Sequence, residues 1–226
     1  MSNGQKDKFV WAALLHLGMN MWHDQKAPLK PVRDYLWFDE AVWRDVTQKM
    51  HDVGMNMVVI DLGEGMAFKK HPELAVKGTW SQDKMRSELD RLRGLGLEPI
   101  PKLNFSSLHD VLSHAYYGRT FNLDKVEKPR WAPPGYYVQL IRRYEGLDKA
   151  GYDQMPCATT WVPDYYALHH IKDNDVNFPL TVQHCRSVIS PQRLKGFLMA
   201  PWMPTDEKNR AILLHSIDLV GQSMAI

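Results

Sequence analysis

Met55-Asn-Met-Val-Val-Ile-Asp-Leu-Gly-Glu-Gly65, followed by Leu97-Glu-Pro-Ile-Pro-Lys-Leu103, decides how this chain is read. Each apolar run has strand length, and each stops at polar residues: Asp61 and Glu64 after the first, Asn104 after the second. Between them Ser81 can cap a helix in which Met85, Leu89 and Leu92 recur at helical spacing, ended by Gly94 and Gly96. Strand, helix, strand is a βαβ unit, and its right-handed crossover makes the two strands parallel. Ligands of parallel sheets bind beyond the carboxyl ends of the strands, so the residues just after these runs are the first functional candidates.

Working outward, Phe9 to Leu17 is a further buried-strand candidate that ends at Gly18-Met-Asn-Met-Trp22-His23-Asp24. Asp39 is placed to cap a helix with the stripe Val42, Val46, Met50 and Val53 and a stop at Gly54. Strand starts near Phe9, Met55 and Leu97 are 46 and 42 residues apart. Eight units at that pace need roughly 350 residues, and compact barrels need about 250. The expectation is an α/β chain: a shortened or incomplete (β/α) TIM-type barrel with parallel strands, residues 1–226 forming one barrel-like domain.

The segment from Ser106 to Gly118 reads two ways, as a helix capped by Ser107 or as a strand over Val111–Tyr117. Lys128–Gly135 reads as a loop and Tyr136–Lys149 as a helix closed by Gly151. Tyr152–Thr160 is a weaker strand leading into Trp161, and Val162–Phe178 is loop-like. A short helix is expected over Thr181–Ile189, a last strand over Leu194–Pro201 ending in Trp202, and a final helix capped by Thr205 with Ile212, Leu213, Ile217 and Val220 inward.

Charge is mixed along the chain and its net value is +2, which gives no polyanion-binding stripe and argues against nucleic acid and membrane surfaces. No run reaches transmembrane length, and Met1–Lys8 lacks an apolar signal region. The expected address is cytoplasmic, or secreted or periplasmic if a targeting segment was removed. Cys157 and Cys185 have no metal-like spacing. His169-His170 is the most obvious histidine pair, but no His-x-x-x-His with an acid partner appears, so no metal is expected. No phosphate-binding glycine loop and no Gly-x-Ser-x-Gly elbow is present, so no cofactor is expected. Eight Trp and nine Tyr suit a cleft with flat apolar walls.

Met55–Leu62, His71-Pro-Glu-Leu74, Trp80–Arg86, Gly96–Pro101 and His109 together resemble the front half of a glycoside hydrolase barrel of the family-20 β-hexosaminidase type. Gly196-Phe-Leu-Met-Ala-Pro-Trp202 resembles the eighth strand, whose terminal Trp lines the sugar pocket in that family. The resemblance implies glycoside cleavage or binding at the carboxyl face of a barrel. It also implies an adjacent Asp-Glu pair after strand four, which this chain lacks: Asp39-Glu40 and Asp206-Glu207 both sit at helix starts. The family's strand-three acid position holds Lys102 or Asn104. If Val111–Tyr117 is a later strand, an internal deletion of the central units near residue 110 would account for both the missing pair and the short length.

Glycoside hydrolysis generally uses two carboxyl groups across the scissile bond, and the candidates here are Asp61 and Glu64. Asn104, His109 and Asp110 are candidates for hydroxyl contacts. Trp22, Trp161 and Trp202, with Tyr116 and Tyr117 if their segment is a strand, are candidate sugar platforms. The alternative is a non-catalytic, truncated barrel that binds sugar or serves as an oligomeric scaffold, since open parallel edges favour a homo-oligomer. An isomerase or lyase on the same scaffold stays open, because fold does not fix chemistry.

Overall fold

The computed structural model describes residues 8–20, 33–102, 144–161 and 174–226. These contain a five-stranded parallel sheet with helices, an α/β architecture. The strands are β1 (Val10–His16), β2 (Met57–Asp61), β3 (Glu98–Lys102), β4 (Cys157–Trp161) and β5 (Gly196–Pro201), and their spatial order is β3-β2-β1-β5-β4. The long helices are α1 (Glu40–Asp52), α2 (Gln82–Gly94), α3 (Asn174–Val188) and α4 (Arg210–Ser223).

The steps β1 to β2 to β3 and the step β4 to β5 all run the same way across the sheet. Right-handed crossovers therefore carry their helices onto one face. Packing agrees with this rule: one core cluster joins Trp11, Ala13 and Leu15 of β1, Val58 and Ile60 of β2, and Phe197 and Met199 of β5 to residues of all four helices. Strand alternation then turns Ala12, Leu14 and His16, with Met57, Val59 and Asp61, onto the opposite face.

Local chemistry explains the helix limits. The Asp39 carboxylate accepts from the Ala41 and Val42 amides and starts α1, and Gly54 ends it at φ 88°, a left-handed value that favours glycine. Ser81 accepts from the Lys84 amide and starts α2. The two helices are joined where the Trp43 indole N–H donates to the buried Glu88 carboxylate over 2.6 Å, which Arg91 also engages. In β3, Pro99 and Pro101 alternate with Glu98, Ile100 and Lys102. The Glu98 amide and the Lys102 carbonyl bond toward β2, so both prolines turn away from that ladder, toward a flank that no described strand pairs with.

Three expectations from sequence need correction. The fourth strand is shorter than Tyr152–Thr160; only Cys157–Trp161 is extended, with Gln154 making an isolated bridge to Leu194. Residues 174–178 are helical rather than loop, because α3 runs through Pro179. The buried stripe Phe178, Val182, Cys185 and Ile189 spans the proline, so packing overrides the one lost backbone bond. Thr205 does not cap the final helix: a 3-10 turn, Glu207–Asn209, precedes α4, and the Asp206 carboxylate accepts from the Asn209 amide at its start. The two readings of 106–118, the 128–135 loop, the first part of the 136–149 helix and the deletion point near 110 lie outside the described residues. Residues 144–149 of that helix are helical, and Gly151 follows with φ 83°.

Candidate functional site

Parallel register places three polar residues side by side at the carboxyl ends of neighbouring strands. His16 of β1 is paired in register with Asp61 of β2, and Asp61 with Lys102 of β3. All three lie on the face away from the helices. His16 Nδ1 is 3.2 Å from Asp61 Oδ2, and Lys102 Nζ donates to the same oxygen over 2.8 Å. On the other side of His16, the Trp202 ring lies 6.0 Å away at 42°, so the row runs Trp202, His16, Asp61, Lys102 across the sheet.

Asp61 and His16 are buried, whereas Lys102 and Trp202 are partly exposed. Burial on its own pushes the Asp61 carboxyl up, but the His16 ring and the Lys102 ammonium outweigh it and hold that carboxyl below its ordinary range. Asp61 is thus a fixed anion with two basic neighbours. Such a group orients and stabilises positive charge or donor hydrogens; it is poorly suited to giving up a proton near neutral pH.

Glu64 follows β2 in a 3-10 turn and is also buried. Its Oε1 accepts from the Met19 and Asn20 amides at 2.9 and 3.0 Å, and its Oε2 from the Asn20 amide at 3.1 Å. The carboxylate therefore fastens the segment after β1 to the segment after β2. Gly18 makes this approach feasible: a Cβ there would lie 2.7 Å from both Glu64 Oε2 and the Leu62 carbonyl. The Leu17 and Gly18 amides donate to the Asp61 carbonyl, so the same contact fixes the backbone of Asp61.

Among the sequence candidates, the structure brings Asp61 and Trp202 to one row and places Glu64 just beyond it. Trp161 is the last residue of β4, where its backbone pairs with Pro201 across a register shift. Trp22, Asn104, His109, Asp110, Tyr116 and Tyr117 lie outside the described residues. Sequence reasoning missed His16 as a site residue, hidden between Leu15 and Leu17 near the end of an apolar run, and treated Lys102 only as a substitute for an acid. The available signal was positional: each of three adjacent strands ends in an ionisable side chain. Among the described residues, no three His, Cys, Asp or Glu side chains converge as a metal site. No described helix is long and apolar enough to cross a membrane.

The chain matches no protein-family model, and no curated protein is significantly similar to it.

Proposed function

We propose that this protein is a carbohydrate-active protein built on part of a (β/α) barrel of glycoside hydrolase type, shortened in its centre, with its sugar site at the carboxyl rim. The observation that carries the reading is the row Trp202, His16, Asp61, Lys102 on the face of the sheet opposite the four described helices. A singly wound parallel order, with helices along one face, is what an arc of such a barrel has. Indole faces pack against sugar C–H groups, and an anchored row of polar side chains suits ring hydroxyls.

Two features favour binding over hydrolysis. The Glu64 carboxylate is engaged by backbone amides, and Asp61 is held ionised by its neighbours. Neither is arranged as a proton donor to a leaving oxygen, which a glycosidase requires. The second reading is accordingly a truncated, non-catalytic barrel that holds glycosides or assembles as a homo-oligomer.

The test is a panel of chromogenic aryl glycosides, including the N-acetylglucosaminide, together with titration of neutral and charged oligosaccharides followed by calorimetry. Turnover that disappears in Asp61→Asn supports the enzyme; saturable binding without turnover, weakened in Trp202→Leu, supports the binding protein. Absence of both turnover and binding sinks the sugar reading.

A further inference from the structure

A second polar arrangement flanks the row without belonging to it. The Asn20 side chain clamps the Arg33 backbone at two points, accepting from its amide over 3.0 Å and donating to its carbonyl over 2.8 Å. Asn20 is itself held by the Glu64 carboxylate, so Arg33 is fastened to the segment after β1. The Arg33 guanidinium lies over the Trp37 indole, with Cζ 3.5 Å from the ring centroid, and its Nη1 donates to the Tyr35 hydroxyl over 2.6 Å. Backbone, flat face and one donor are thus all fixed, which leaves the rest of the planar fork preorganised.

The carboxylates around this fork are engaged elsewhere. Asp206, in the turn after β5 with Trp202, accepts from the Trp37 indole N–H and from the Asn209 amide and side chain. It therefore meets the edge of the indole, whereas the guanidinium meets its face. Asp39 accepts from the Ala41 and Val42 amides, and Glu40 pairs with Arg44 and Lys84. Asp34 is exposed, and its carbonyl accepts from the Lys77 amide. An isolated bridge sets the exposed Lys77 beside Tyr35, one strand spacing of about 4.8 Å away. Among the described residues, no carboxylate forms an ion pair with Arg33 or with Lys77. Two cations border one phenol that is itself 45% exposed.

We propose that Arg33, Tyr35 and Lys77 form a binding site for the phosphate group of a small ligand. A phosphate monoester carries about −1.5 to −2 charges at neutral pH and presents several strong acceptor oxygens. The guanidinium fork bonds two of those oxygens side by side, and the Tyr35 hydroxyl, which accepts from Nη1, has its own proton to give another. The flexible stem of Lys77 brings a second positive charge to the same group. A lone carboxylate would leave one of the two cations unanswered. This site goes beyond the sugar reading and does not depend on it.

Calorimetry in a phosphate-free buffer at low salt tests the site with inorganic phosphate, glucose 6-phosphate and neutral glucose. The wild-type protein should bind both phosphates saturably, and more weakly as salt is added. Tighter binding of glucose 6-phosphate identifies an organic phosphate as the source; equal or weaker binding identifies the free ion. Arg33→Gln should weaken both about tenfold or more, and Arg33→Lys should recover only part of the loss, because the planar fork is gone. Lys77→Gln alters an exposed side chain and should weaken both several-fold in a folded protein. Thermal melting establishes that each variant is folded. Absence of phosphate binding by the wild-type protein overturns the proposal. So does unchanged binding in folded Arg33→Gln or, should that variant fail to fold, in Lys77→Gln. Glucose bound as tightly as glucose 6-phosphate assigns recognition to the sugar, which overturns the phosphate site and leaves the sugar reading intact.

Discussion

Thr205 Oγ1 donates to the backbone carbonyl of His16 over 2.9 Å, joining residues 189 positions apart in the chain. Both residues are buried, and the Thr205 carbonyl in turn accepts from the Asp39 amide at the start of α1. One residue therefore ties the end of β1 to the turn after β5 through its side chain, and to a helix cap through its backbone. Thr205→Val keeps the shape and removes the donor. It should cost about 1–3 kcal/mol, because a buried carbonyl is left without its partner. Thr205→Ser should recover most of that loss. Chemical denaturation of both variants checks this, and an unchanged midpoint in Thr205→Val would contradict it.

Asp61 should contribute to acid stability with a definite sign. Its folded carboxyl lies below the ordinary value of 3.8, since His16 and Lys102 together outweigh burial. A depressed folded value gives stability that is present above the unfolded value and lost as pH falls through the folded one. Wild-type protein should lose stability below about pH 4 partly through this group. Asp61→Asn should be less stable at pH 7 and show a flatter acid limb. Urea midpoints across pH 2–7 would show this, and parallel profiles for the two proteins would refute it.

Gly18→Ala should disrupt the contact between the segments after β1 and β2. The added Cβ meets the Leu62 carbonyl at 2.7 Å and the Glu64 amide nitrogen at 2.8 Å, both backbone atoms that cannot swing aside. Overpacking of this kind costs about 1–3 kcal/mol. Shortening the acid as well, in Gly18→Ala/Glu64→Ala, should not restore stability, since the backbone clashes remain and the amide acceptors are gone. A double variant more stable than Gly18→Ala would place the clash on the side chain instead.

The two thiols should separate under Ellman's reagent. Cys157 is exposed, though loss of solvation still pushes its thiol up. Cys185 is buried in the α3 stripe, and burial pushes it up to about 12. Native protein should release one equivalent of thiolate slowly at pH 8 and the second only on denaturation. Two equal rates in the native protein would place Cys185 elsewhere.

The half of the fold up to Lys102 was legible because local signals agreed with packing. Asp39 and Ser81 are caps with apolar stripes behind them, and Met57–Asp61 is an apolar run with a polar stop. The carboxyl-terminal half was less so. Pro179 argues locally for a break, yet Phe178 and Val182 on either side of it are fully buried, and that burial is a tertiary fact. Thr205 followed by two acidic residues looks like a helix start, but its hydroxyl is drawn off by a strand end far away in sequence. Asp61 was found as a site residue because it ends an obvious strand. His16 and Lys102 were not, because their meaning depends on register between strands, and register is set by the whole sheet.

The alternation of Pro99 and Pro101 in β3 makes that strand asymmetric. Toward β2 it both gives and receives hydrogen bonds; on its far flank those two positions have carbonyl oxygens to offer and no amide hydrogens. Any strand laid against that flank, from this chain or from another molecule, would zip at most half of its bonds there. Among the described residues the sheet is thus blunted at its β3 border, and runaway stacking of copies through that border would gain too little to propagate.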